Sequence, residues 1–129
     1  IFRSFGYGAI VLAGGRFPSL LKVLQRLQDV LPAGGAQGEE PMFNVLGRYN
    51  GRSWRLVIFP RRKHRPDVYF LGEKDRMLIT PGAFEMSGLI VAPREKDFSR
   101  ITRTWALRIL REVGSPPGIA ARIAARLLS

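Results

Sequence analysis

The basic segment Arg61-Arg62-Lys63-His64-Arg65, enclosed by two prolines, is the most distinctive feature with chemical potential in this sequence. It follows an apolar stretch with the character of a strand. Several cationic side chains at a strand end can surround a phosphate group, since a charge-assisted hydrogen bond to an oxyanion is stronger than a neutral one. The segment therefore predicts phosphate contacts by Arg61, Lys63, His64 and Arg65. The alternative is a solvated loop that is charged for solubility.

His64 is the only histidine, and the chain has no cysteine. A histidine cluster for a metal and a cysteine nucleophile are therefore excluded, and neither a metal nor a cofactor is predicted. Cationic neighbours disfavour the imidazolium form, so a neutral His64 could donate a hydrogen bond to a phosphate oxygen. A surface or capping histidine is the alternative.

A second segment, residues 81–88, brings one acid into a turn-rich, apolar setting. Glu85 could orient a ribose hydroxyl or an arginine, and the backbone at Ser87 could approach a ligand closely. A β-bulge with an ion-paired glutamate would produce the same pattern. No Walker loop, dinucleotide-binding glycine pattern, metalloprotease helix or nucleophile elbow occurs, which excludes those enzyme classes.

The elements that must position these residues indicate an α+β fold, an antiparallel sheet with helices on one face or end. Strands are predicted over residues 2–12, 41–49, 53–59, 77–80 and 89–92, with an extended path at 67–71, a loop at 33–40 and a turn at 72–75. Asn50-Gly51 predicts a hairpin between the second and third strands. Helices are predicted over 18–31, from an N-cap at Ser99 to 113, and from 115 onward.

Alternation in the strand at 53–59 places Trp54, Leu56 and Ile58 on one apolar face, which a helix or another layer should cover. Trp54 is therefore expected in the core. Aromatic residues interleave with the basic ones here, but the sequence carries no RNA-recognition signature. Nucleic-acid binding is consequently a weaker interpretation than binding of a small phosphorylated molecule.

Composition adds bounds on size, location and partners. The 129 residues suit one domain, and no apolar run reaches the length of a membrane span. The absence of cysteine favours the cytoplasm. A net charge of +11 favours polyanionic partners, although genomes rich in G and C also encode arginine heavily. The chain begins at Ile1 inside an apolar stretch without a methionine, which predicts a fragment of a longer protein.

Three spaced pieces of residues 41–113 resemble a known family. They are Pro41 to Leu46, LVIFPRRKHRP at 56–66 and TPGAFEMSGLIVAPREKDF at 80–98, with Asn44, Leu46, Pro60-Arg61, Glu85-Met86-Ser87-Gly88 and Arg94-Glu95-Lys96-Asp97-Phe98 as the matching positions. The pattern is similar to the carboxy-terminal region of the diadenosine tetraphosphate phosphorylase and GDP-hexose phosphorylase branch of the histidine-triad (HIT-like) superfamily. Within that branch, the likeness is closest to uncharacterised bacterial members.

The resemblance implies a half-barrel of antiparallel strands and a nucleotidyl transfer through a histidine in an H-x-H type motif. That motif is absent here, so the chain is expected to be the non-catalytic half, with the N-terminal half of the same protein as partner. Asn44, Glu85 and Ser87 join the basic segment as expected substrate contacts, and a homodimer is compatible with this picture. The alternatives are a catalytically inactive nucleotide-binding or interaction module and a basic nucleic-acid-binding domain.

Overall fold

A three-stranded antiparallel sheet with helices packed on it forms the described part of the chain. The structure, a computed structural model, describes residues 6–14, 16–31 and 41–129. The strands are β1 (Ile10–Ala13), β2 (Phe43–Tyr49) and β3 (Trp54–Pro60), in the order β1-β3-β2. The helices are α1 (Phe17–Val30), α2 (Ala83–Met86), α3 (Glu95–Arg100), α4 (Arg103–Val113) and α5 (Pro117–Leu128). The predicted α+β class is confirmed.

The hairpin between β2 and β3 is confirmed, with Tyr49 opposite Trp54 at the end of the ladder. Gly51 has a φ of +87°, which suits a residue without a Cβ atom. Asn50 contributes through its side chain instead, because its Oδ1 accepts from the backbone N–H of Arg52 at 3.0 Å and of Ser53 at 2.8 Å. The loop therefore turns on Gly51 and Arg52, with Asn50 as its cap.

One face of the sheet is covered by α1 and α5, as the alternation in β3 predicted. Ile58 is fully buried among Leu27 of α1 and Ile123 and Leu127 of α5. The expectation that Trp54 lies in the core is wrong. It is only half-buried, because it lies at the rim of the sheet, where its ring stacks on Tyr49 at 5.1 Å.

The opposite face is also covered at the end where β3 finishes. Phe59 is fully buried in a cluster with Tyr7, Met86, Leu110 and Val113, which α2 and α4 help to supply. The Tyr7 hydroxyl donates to the backbone carbonyl of Met86. Burial of this hydroxyl raises the pKa of Tyr7 to about 12. Both faces are thus enclosed next to the basic segment.

Three predicted extended segments are not strands. Residues 77–80 pair in no ladder with another described residue, because the N–H of Met77 bonds to Val68 O at 3.3 Å and that of Leu78 to Asp97 Oδ2 at 3.1 Å. Residues 89–92 also have no strand partner among the described residues. Residues 67–70 form a 3₁₀ helix after Pro66, with Tyr69 N bonded to Pro66 O at 3.0 Å. The predicted turn at residues 72–75 is confirmed.

The helix predicted from Ser99 is in fact two helices. Ser99 lies inside α3, and the backbone is extended at Ile101 before α4 starts. Thr102 is the N-cap of α4, with its side chain accepting from Trp105 N at 3.2 Å. Ile109 and Val113 of α4 are buried.

Replacing Thr102 with alanine should lower the free energy of unfolding by about 1 kcal/mol, since an N-H group in the first turn loses its acceptor. Thr104→Ala, in the first turn of the same helix and exposed, is the matched control and should change stability by less than about 0.5 kcal/mol. Urea denaturation of both variants measures the difference. Equal losses in the two variants would show that Thr102 is not the cap.

The other predicted helices agree with the structure, whereas the strand predicted over 2–12 agrees in part. The predicted helix over 18–31 is α1, and the predicted terminal helix is α5, with Ile123 and Leu127 on its buried side. In the strand predicted over 2–12, only residues from Ile10 pair in β1. Residues 2–5 and the predicted loop at 33–40 lie outside the described residues. No helix in the described ranges has the length and apolar character to cross a membrane.

Candidate functional site

Arg61 is a buried arginine at the end of β3, with only 8% of its surface exposed. Its backbone continues the sheet by one step, because its N–H donates to Met42 O at 2.9 Å. It also forms an isolated antiparallel bridge with Gly114, directly after α4. The first residue of the basic segment is therefore fixed on both sides by the fold.

The Arg61 guanidinium joins three separate parts of the chain. Nη1 donates to Asn44 Oδ1 of β2 at 2.8 Å and to the carbonyl of Pro81, just before α2. Nη2 donates to the carbonyl of His64 at 2.8 Å, which closes the basic segment back on its own first residue. Arg61 thus shapes the segment and attaches it to the sheet and to the turn before α2.

The electrostatics of Arg61 reflect its burial. Burial lowers the pKa of Arg61, and the negative charge of Glu85 acts in the opposite direction. Because the ordinary pKa of arginine is far above 7, the group is a cation at neutral pH. Its Nε has no hydrogen-bond partner among the described residues. A cation so placed, bonded mainly to neutral oxygens, acts chiefly to position its neighbours.

Glu85 lies at the first turn of α2 and not in a β-bulge. Its Oε2 accepts from the N–H of Gly82 at 2.9 Å, which caps the helix start. Ser87, at the other end of this short helix, is exposed and donates from Oγ to Phe84 O at 2.6 Å. Glu85 therefore contributes charge near Arg61, while Ser87 is exposed and its hydroxyl is bonded to Phe84 O.

Arg62 attaches the basic segment to the C-terminal end of α4. Its Nη2 donates to Arg111 O at 2.7 Å and its Nε to Gly114 O at 3.0 Å, and its backbone N–H donates to Val113 O at 2.8 Å. Carbonyls at a helix C-terminus lack partners within the helix and carry partial negative charge. Sequence reasoning missed this role of Arg62, because nothing local indicates which helix ends beside it.

Lys63 takes part in a small network of charges at the surface. Its Nζ contacts Asp67 Oδ1 at 2.7 Å and Glu112 Oε1 at 3.0 Å. The hydrogen bond to Asp67, followed by that to Glu112, raises the pKa of Lys63. Glu112 Oε1 also accepts from Asp67 N at 2.7 Å. The Lys63 side chain is 42% exposed, so solvent and ligands can still reach it.

His64 and Arg65 are the outward-facing members of the basic segment. Both residues are exposed, and the His64 carbonyl is held by Arg61. The Arg65 guanidinium lies 4.7 Å from the centre of the Tyr69 ring, a cation–π contact that leaves its N–H edges available to solvent. The side chains of His64 and Arg65 thus extend into solvent, while Arg61 holds the backbone at His64 in place.

The seven residues predicted as substrate contacts fall into two groups. Asn44, the His64 carbonyl and the charge of Glu85 meet at Arg61. Lys63, Arg65 and Ser87 make their contacts elsewhere. Among the aromatic residues that interleave with basic ones, Phe59 is fully buried and Trp54 half-buried. In the described ranges, no three acidic or histidine side chains are grouped as metal ligands.

Comparison with known protein families gives a match. The model of the family described as "GDPGP1-like, C-terminal domain" matches residues 8–115, which include the sheet, the basic segment and helices α1 to α4. No curated protein and no solved structure matched the chain. The match supports the part of the sequence resemblance that concerns the GDP-hexose phosphorylase C-terminal region. This chain belongs to the family of GDPGP1-like C-terminal domains.

Proposed function

We propose that the chain is the non-catalytic, C-terminal half of a nucleotide phosphorylase or nucleotidyltransferase of the HIT-like superfamily. The family match over residues 8–115 supports this proposal. The sequence holds a single histidine, so it cannot contain an H-x-H motif. In this proposal the N-terminal half of the same protein supplies the catalytic histidine, and the present chain supplies the fold and contacts to phosphate.

The buried Arg61 is the observation that carries the assignment of roles. Because Arg61 holds Asn44, the His64 carbonyl and the turn at Pro81 together, the segment presents its next residues in a fixed geometry. We assign Arg61, Asn44 and Glu85 to positioning. Lys63, His64, Arg65 and Ser87 are the proposed contacts, since all four side chains are accessible.

The reaction proposed for the whole protein proceeds in two steps. The histidine of the N-terminal half attacks the α-phosphorus of the nucleotide substrate, and the bond to the leaving phosphoryl oxygen breaks. Inorganic phosphate then attacks the nucleotidyl-histidine, which releases the histidine and forms the nucleoside diphosphate or its homologue. The cations of the present chain would balance negative charge on the non-bridging oxygens.

Isothermal titration of the chain with GDP, ADP and diadenosine tetraphosphate tests these contacts. We expect binding by the wild type, and a loss of about tenfold or more in affinity for His64→Ala/Arg65→Ala, since charge-assisted hydrogen bonds are removed. Arg122→Ala is the matched control, because it removes one positive charge at an exposed position on α5. The nucleotide affinity of Arg122→Ala should equal that of the wild type within about twofold.

Two outcomes would contradict the proposed contacts. An equal loss in the double variant and in Arg122→Ala would mean that only net charge matters. An absence of binding by the folded wild-type chain would mean that the basic segment does not hold a nucleotide.

A further inference from the structure

Two arginines lie directly opposite each other on the hairpin. The register of β2 and β3 pairs Arg48 with Arg55, so their side chains leave the same face of the sheet. Side chains paired in this way have Cβ atoms about 5 Å apart, and like charges so placed destabilise the pair. The chain therefore carries a repulsive contact between Arg48 and Arg55. A neutral residue at either position would remove that repulsion.

Nothing in the described part of the chain compensates this arginine pair. Neither side chain makes a hydrogen bond or an ion pair with a described residue, and both are exposed. The situation differs from that of Arg61, Arg62 and Arg94, whose guanidinium groups all donate to carbonyl or carboxylate oxygens. The arginine pair is thus a concentration of positive charge with its donors available.

A depression of about 200 Å³ lies beside the arginine pair. Asn50 and Ser53 of the hairpin loop line it together with both arginines. Asn50 Oδ1 is occupied by the N–H groups of Arg52 and Ser53, so the amide nitrogen is the end of the side chain left for a ligand. No carboxylate lines the depression, and its polar side chains are donors to a bound oxyanion.

From this combination we propose that Arg48 and Arg55, with Asn50 and Ser53, form a binding site for a phosphate group. Two guanidinium groups at this spacing can each donate to the oxygens of one phosphate, and the bound dianion removes the repulsion between them. The site is separate from the basic segment. Asn44, which contacts Arg61, and Arg48 share one face of β2 at a separation of four residues, about 13 Å.

Thermal unfolding with and without inorganic phosphate tests the proposal on wild type, Arg55→Gln and Arg48→Gln, with KCl added to equalise ionic strength. Without phosphate, each variant should have a Tm equal to or above that of the wild type, because the like-charge contact is gone. With phosphate, the wild-type Tm should rise with concentration, as expected for a ligand that binds the folded state only. Each variant should show a clearly smaller rise than the wild type, since the basic segment remains intact in all of them.

Arg122→Gln on α5 is the control, and it should retain the full rise in Tm. An equal response to phosphate in all four proteins would overturn the proposal, since the anion would then act through net charge or through the basic segment. A lack of response in the wild type would overturn it as well. Because the test uses residues outside the basic segment, its failure would leave the nucleotide contacts of His64 and Arg65 standing.

Discussion

Replacing Arg61 with methionine is expected to lower the free energy of unfolding by about 3 kcal/mol. The variant keeps an apolar side chain in the buried position, but Asn44 Oδ1 and the carbonyls of Pro81 and His64 lose their donor. The bond to Pro81 is buried and the other two are part-buried. Acceptors that lose their donor in such places are costly, and removal of one member of a buried polar network destabilises by several kcal/mol. Urea denaturation monitored by circular dichroism gives the value.

Arg65→Met provides the comparison for this variant, because Arg65 is exposed and its guanidinium lies over the Tyr69 ring. Arg65→Met should lower the free energy of unfolding by about 0.5 kcal/mol. A double-mutant cycle of Arg61→Met with Asn44→Ala should show coupling of at least about 0.5 kcal/mol. Losses of similar size in Arg61→Met and Arg65→Met would refute the positioning role of Arg61.

Replacing Asp97 with alanine should have an effect of similar size, about 3 kcal/mol at pH 7. Asp97 is fully buried, and its carboxylate accepts from Arg94 Nε at 2.7 Å and from Leu78 N at 3.1 Å. These bonds hold residues 77–80 against α3 in place of the sheet pairing that the sequence predicts. Loss of the carboxylate therefore leaves Leu78 N–H without its acceptor and Arg94 with only its other partners.

The effect of Asp97→Ala should depend on pH. The hydrogen bond from Arg94 holds the pKa of Asp97 below its ordinary value of 3.8, with smaller opposition from burial. The carboxylate's contribution to stability is therefore complete well above pH 3.8, and it is lost as the pH falls through the folded-state pKa. The difference between wild type and Asp97→Ala should narrow in that acidic range. Glu73 and Lys96, which lie near Arg94, are unchanged in the comparison.

Asp75→Ala is the control for Asp97→Ala, because Asp75 is an exposed acid in the neighbouring turn. Its effect should stay within about 0.5 kcal/mol across the pH range. A constant difference between wild type and Asp97→Ala from pH 7 to pH 2 would contradict the role given to the carboxylate.

Local patterns were sufficient to predict the hairpin and most of the helices. The alternation of residues 54–58 and the Asn50-Gly51 turn determined β2 and β3, because turn chemistry and the sheet face agree there. Residues 77–80 are a short apolar run but form no strand, since Leu78 N–H is bonded to a carboxylate 19 residues later. A partner so distant in sequence leaves no local signal.

The location of the candidate site could be predicted from the sequence, but the role of each residue within it could not. The prolines at positions 60 and 66 placed the basic segment at a strand end, as the structure has it. The burial of Arg61 depends on the carbonyl of Pro81, which only the tertiary fold brings near. The arginine pair could have been recognised from the sequence, because Arg48 and Arg55 stand at equal distances from the hairpin loop.

Phosphorolysis measured as release of nucleoside diphosphate in the presence of inorganic phosphate tests the central claim most directly. It compares the 129-residue chain with the full translated reading frame, on a GDP-hexose and on diadenosine tetraphosphate. We expect turnover by the full protein and none by the chain alone, because the chain holds a single histidine and no H-x-H motif. Turnover by the chain alone, or none by the folded full protein on either substrate, would contradict its assignment as the non-catalytic half of a phosphorylase.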